Sequence, residues 1–264
     1  MIRVAHDHTP PLPWLWGAVL LAVVAGQAGA AESAVTPAAL APQAGMPLVL
    51  ELNLPAGPDD APATWNSANV AQFFVRVAGE QRTLLPVNAD GDGRHARLTI
   101  DRAGPALLCI GAGPPAARGH SDSWQRVTHC TKIVLDVRPA DGRAPATYTP
   151  NPGITAKTGQ KIEIMPMVDP FRLRVGDDLP VRVYYEGVRI SNARVTATVR
   201  PSGFSGPGTE IQAARPTDAH GTTWLHVSRP GTWVVRLVHE VDGQAGPQRC
   251  VAELIFRVAE GGER

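Results

Sequence analysis

The chain has 264 residues and a formal net charge of +1. That balance excludes a global basic field that would draw nucleic acid or an acidic membrane surface. Three cysteines with no CxxC pair exclude the usual zinc cage and the thioredoxin-like redox centre.

The amino terminus is predicted to be a signal peptide over residues 1–30. Trp14 to Val24 (WLWGAVLLAVV) is an apolar run too short to span a bilayer well, and Ala28-Gly29-Ala30 fits a cleavage site. No later stretch is apolar enough to cross a membrane. The mature protein is therefore expected to be periplasmic or secreted, with no stable transmembrane span. Residues 31–45 (AESAVTPAALAPQAG) are expected to form a flexible tail.

From there the apolar runs are short, rich in Val, Ile, Leu and Thr, and punctuated by Gly and Pro. This is the pattern of an all-β protein built from sandwiches. Strands are predicted at 48–54, 70–79, 96–101, 106–111 and 126–137. A Pro-rich stretch over 138–156 (beginning RPADGRAPATYTPNP) is expected to be a linker. Further strands are predicted at 160–167, 180–187, 193–201, 222–228, 232–240 and 250–258. The expected organisation is two small β-sandwich domains, 46–137 and 157–260, of immunoglobulin-like or transthyretin-like type.

Several stretches look like sites and are better explained as turns. Asn88, Asp90, Asp92 and Gly93 open like a calcium loop, but position twelve is Thr99, not Glu. Asp177 and Asp178 are adjacent, so in an extended chain they point to opposite sides and cannot form a facing acid pair. Gly203-Phe204-Ser205-Gly206 lacks the spacing of a nucleophile elbow. Ile110-Gly111-Ala112-Gly113 runs into two prolines and opens no phosphate-binding helix.

Cys109 and Cys130 flank a Gly/Pro-rich loop and are the expected disulfide, leaving Cys250 as an odd buried thiol. The segment Thr217 to Glu240 (TDAHGTTWLHVSRPGTWVVRLVHE) carries His220, His226 and His239. Alternation puts Trp224 and His226 on one face of their strand, and Trp233, Val235, Leu237 and His239 on one face of the next. SRPG is expected to be the hairpin turn between them, and both tryptophans to be packing anchors. Local spacing alone does not assemble these histidines into a zinc site.

The ordered motifs G-Q-x-I-E-I-x-P-x-x-D-P, G-D-x-L-x-V, N-A-x-V, T-D-x-x-G and G-x-W-x-x-R-x-x-H run through residues 157–258. In these it resembles a bacterial periplasmic family of unknown function, often labelled a periplasmic component of cobalt or nickel transport. In the first block only TKIVLDV, a lysine-containing strand, is similar. The resemblance implies a nickel or cobalt ion as ligand and a membrane transport complex as partner. His239 maps onto a family histidine, with Trp233 and Asp218 in the same motifs, and His226 or His220 would complete its metal set. Family members often begin the mature chain with a His-Asp pair, whereas this one begins near Ala31-Glu32-Ser33.

The expected role is a non-catalytic binding or accessory protein, assisting nickel or cobalt uptake. Two rivals stand beside it. One is a structural adhesion module without metal. The other is a hydrolase of cell-wall sugars, which would need two convergent carboxylates.

Overall fold

The structure, a computed structural model, describes residues 35–52, 70–77, 79–83, 87–88, 95–112, 126–143, 148–200, 210–213, 215–243 and 246–260. The predicted signal peptide, residues 89–94 of the calcium-like loop, His120 and the Gly203–Gly208 stretch lie outside them.

The fold is all-β and sandwich-like. Its strands in chain order are β1 (Val35–Pro37), β2 (Pro47–Leu52), β3 (Val70–Val77), β4 (Glu80–Thr83), β5 (Val87–Asn88), β6 (His95–Thr99), β7 (Gly104–Ala112) and β8 (Arg126–Val137). There follow β9 (Ile162–Pro166), β10 (Asp178–Tyr185), β11 (Val188–Arg189), β12 (Val195–Arg200), β13 (Glu210–Ala213), β14 (Thr222–His226), β15 (Gly231–Gly243) and β16 (Gly246–Val258).

A central sheet of eight strands runs β13-β12-β15-β16-β8-β7-β3-β4. It contains strands from both halves of the sequence, joined where β16 pairs β8 in parallel. Two smaller sheets flank it: β1-β2-β6-β5, and a second in which β10 pairs β9, β11 and β14.

The flanking sheets cover opposite faces of the central one, because side chains alternate along each strand. Phe73 and Val75 of β3, Leu108 and Ile110 of β7, and Ile133 and Leu135 of β8 join Leu48, Leu50 and Leu98 in the first core. Their neighbours Phe74, Leu107, Cys109, Cys130 and Val134 point the other way. They join Ile162, Leu179, Val181, Leu225, Trp233 and Phe256 in the second core.

The segments expected to be tail and linker are tied to these cores. β1 pairs β2, and Leu40 and Ala44 pack on the first core. The Asn151 amide donates to the carbonyls of Arg76 and Pro105, and Ile154 is fully buried in the second core. Proline removes N–H donors but leaves side chains and carbonyls free to pack.

Candidate functional site

The G-Q-x-I-E-I motif of the second block builds a buried network. Glu163 of β9 meets Lys132 of β8 at 2.5 Å, and each side chain is 1% exposed. The Glu163 carboxylate also accepts from the Thr158 backbone N–H at 2.6 Å, the Thr158 hydroxyl at 3.1 Å and the Gly159 N–H at 3.3 Å. Beside it the Gln160 amide donates to the Ile110 carbonyl. An isolated buried charge is costly, and the four contacts satisfy this carboxylate. Thus the glutamine and glutamate of the G-Q-x-I-E-I motif clamp the small sheet to the central one.

T-D-x-x-G is a built turn. One Asp218 carboxylate oxygen accepts from the N–H groups of His220 and Thr222, each at 2.8 Å. The Thr222 N–H is the first cause holding this carboxyl below its usual range. The Thr217 hydroxyl donates to the Ile190 carbonyl and accepts from the Ala193 N–H. Gly221 has φ +70° and packs against the Val183 and Ile190 carbonyls, a position suited to glycine. In the D-P motif, Asp169 caps a single 3-10 turn, Pro170–Arg172, and accepts from the Tyr148 hydroxyl.

The expected hairpin between the two Trp-containing strands does not form. β14 pairs β10 in the small sheet, while β15 lies between β12 and β16 in the central sheet. Ser228 to Pro230 therefore carry the chain from one sheet to the other. Both strands alternate as expected, but each buries its apolar face from its own side of the second core.

This crossing separates the three histidines. His220 sits exposed in the turn. His226 lies on the outer face of the small sheet, exposed, with Nδ1 3.1 Å from an Asp178 carboxylate oxygen. His239 lies on the central sheet, half-buried, with its ring 5.1 Å from that of Tyr185. Among the described residues no three His, Cys, Asp or Glu side chains are grouped to hold a metal ion.

Two surroundings of these histidines are chemically informative. On the outer face of the small sheet a row crosses the strands. Met167 donates its N–H to the Pro180 carbonyl, and Pro180 pairs Trp224. Trp224 is 55% exposed and Met167 38%. The Asp178–His226 pair borders the row on one side and Arg182 on the other. Trp233, by contrast, is 1% exposed, stacks on Phe256 and donates its indole N–H to the Arg229 carbonyl. So one of the two tryptophans is a packing anchor and the other is presented to solvent.

The second surrounding is that of His239 on the central sheet. His239 stands opposite Cys250 in the β15–β16 ladder. Lys161 lies 5.9 Å from the Tyr185 ring and donates to the Gln248 side chain at 3.1 Å. Burial, then the neighbouring Cys250 and Glu186, pushes the Tyr185 hydroxyl up.

The disulfide expected between Cys109 and Cys130 is not formed, and all three cysteines are free and buried. Cys109 is opposite Lys132, whereas Cys130 is opposite Gly111. Such diagonal neighbours stand about 7–8 Å apart, beyond disulfide reach.

The exposure of Trp224 and the contact between Lys132 and Glu163 were missed from sequence. The signal for the second was present: a lysine and a glutamate each interrupt an apolar strand, TKIVL and IEIMP.

No curated protein matches the chain. A profile of a domain of unknown function, DUF4198, matches residues 59–241. That span covers most of the chain and takes in the central sheet apart from β16 and the end of β15, the Lys132–Glu163 clamp and the built turn. The chain belongs to the DUF4198 family.

Proposed function

We propose that the protein is an exported, non-catalytic binding or accessory protein, and that it meets its partner through the outer face of the small sheet. The supporting observation is the Met167–Pro180–Trp224 row, an apolar strip flanked by Asp178, His226 and Arg182. A large exposed aromatic with polar neighbours has the composition of an interaction surface. The buried carboxylates Glu163 and Glu253 are engaged by Lys132 and Arg236, an architectural use of charge. The test is a photo-crosslinking residue placed at Trp224 in the producing cells. A discrete adduct supports the reading, and its absence rejects the face as the contact.

A second reading is that the partner is a membrane transport complex and the cargo nickel or cobalt. It is favoured by the exposed His226–Asp178 pair and by the half-buried His239, since imidazole suits these ions. Calorimetric titration of the mature chain with nickel and with cobalt tests it, with His226→Ala and His239→Ala as controls. No heat above buffer rejects metal binding.

A further inference from the structure

β14 ends one side of the small sheet, and its register says which of its backbone groups turn outward. In an antiparallel ladder the N–H and C=O of one residue point to the same side, and that side alternates along the strand. Met167 donates its N–H to the Pro180 carbonyl, so Pro180 turns toward β9. The Val183 N–H donates to the Gly221 carbonyl on the opposite side. Leu179 and Val181 therefore turn toward β14, where they pair Leu225 and Thr223. It follows that Thr222, Trp224 and His226 turn their N–H and C=O groups away from β10.

At Thr222 this edge is closed. Its N–H donates to the Asp218 carboxylate, and its carbonyl accepts from the Asp218 N–H. The outward backbone groups of Trp224 and His226 have no partner among the described residues. They present two donors and two acceptors, in sets about 6.6 Å apart along the strand. Such an open edge is a template for another strand. β4, at an edge of the central sheet, is exposed throughout and carries Glu80 and Arg82, each in an ion pair, which is a common protection. β14 carries the exposed Trp224 instead.

We propose that the edge of β14 at Trp224 and His226 takes up an extended segment of a partner protein as an added strand. This rests on the reading of the outer face as the contact surface, and it names the form in which the partner binds. Main-chain hydrogen bonds hold such a segment, and side chains set its specificity. The residue opposite Trp224 lays its side chain beside the indole, so an apolar residue fits there. Two places along, the side chain opposite His226 stands next to the Asp178–His226 pair, so a polar residue fits. Asp218 fixes where the added strand stops.

The test is photo-crosslinking in the producing cells from position 167, which leaves Trp224 in place, in the parent and in His226→Ala and His226→Pro. Both substitutions remove the imidazole. Proline alone also removes an outward N–H, and it removes none that β10 uses. The expected result is a discrete adduct with another protein that survives His226→Ala within about 2-fold and falls by more than about 10-fold in His226→Pro. An adduct equally strong in both variants overturns the added strand while leaving the face as the contact. No adduct in the parent overturns the face itself, and the added strand with it. An adduct of two copies of this chain overturns the partner class. Where His226→Pro does not fold, amide hydrogen exchange of the parent decides. In the free chain the Trp224 and His226 amides exchange faster than those of Thr223 and Leu225. In the purified adduct they slow by more than about 10-fold, and unchanged exchange overturns the proposal.

Discussion

The Lys132 ammonium and the Glu163 carboxylate meet at 2.5 Å with both side chains 1% exposed, joining β8 of the first block to β9 of the second. Removing one partner leaves the other charged and buried. Lys132→Met is expected to cost about 3–5 kcal/mol in urea unfolding. Adding Glu163→Gln keeps an acceptor for the Thr158 and Gly159 amides while removing the stranded charge. The double variant should therefore recover more than half of the loss. A single variant within about 1 kcal/mol of the parent would show that the pair does not clamp the sheets.

Acid should weaken the fold through His129. It lies on β8, buried, and its Nδ1 has no hydrogen-bond partner among the described residues. Burial, then the positive charges of Arg236 and Arg249, lowers its pKa from 6.5 to about 4. The folded state thus binds fewer protons than the unfolded chain between these values. His129 makes no demand on stability above pH 6.5. Its cost grows as pH falls from 6.5 and is complete near pH 4, at roughly 3 kcal/mol. His129→Leu should flatten that part of the profile of stability against pH, and an unchanged slope would contradict the assignment.

Two glycines at positive φ should differ in tolerance: Gly221 in the turn preceding β14, and Gly159 ahead of β9. A Cβ on Gly221 would sit 3.1 Å from the Val183 carbonyl oxygen and 3.2 Å from that of Ile190, at φ +70°. Gly159 also has positive φ, +78°, but open space around it. Gly159→Ala should cost about 1 kcal/mol from backbone strain, and Gly221→Ala clearly more, since backbone must shift. Equal midpoints in thermal unfolding would refute the close packing.

The two tryptophans should separate in opposite senses. Trp233→Ala empties a buried stack and should cost about 3–5 kcal/mol. Trp224→Ala should change stability by less than about 0.5 kcal/mol, because nothing packs over most of its ring. Fluorescence should agree: Trp233 resists quenching by acrylamide and Trp224 does not.

Much of this fold was legible from period-two alternation. β8 was predicted with its observed ends, and the residues that share a face of β14 and of β15 were anticipated, although Trp224 was expected to be buried and is exposed. Pairing was less legible. Alternation says which side chains face a core but not which core, so the chain's change of sheet at Ser228–Pro230 was taken for a hairpin. The short strands β4, β5, β11 and β13 carry too few apolar residues to signal themselves. β1 lies in an Ala/Pro-rich stretch that resembles a tail. The disulfide expectation failed for the same reason as the hairpin, since loop proximity does not fix register. The Thr-Asp turn was legible, because Thr217, Asp218 and Gly221 each have a local bonding reason for their identity. The histidines were not, because their grouping depends on which sheet each strand joins.

The central claim is that the outer face of the small sheet, around Trp224, is the contact surface. The most direct measurement is photo-crosslinking in the producing cells from position 224 and from a control at Glu80, exposed on β4 of the central sheet. A discrete adduct from position 224 and none from position 80 is the predicted result. No adduct from 224, or the same adduct from both positions, would contradict it.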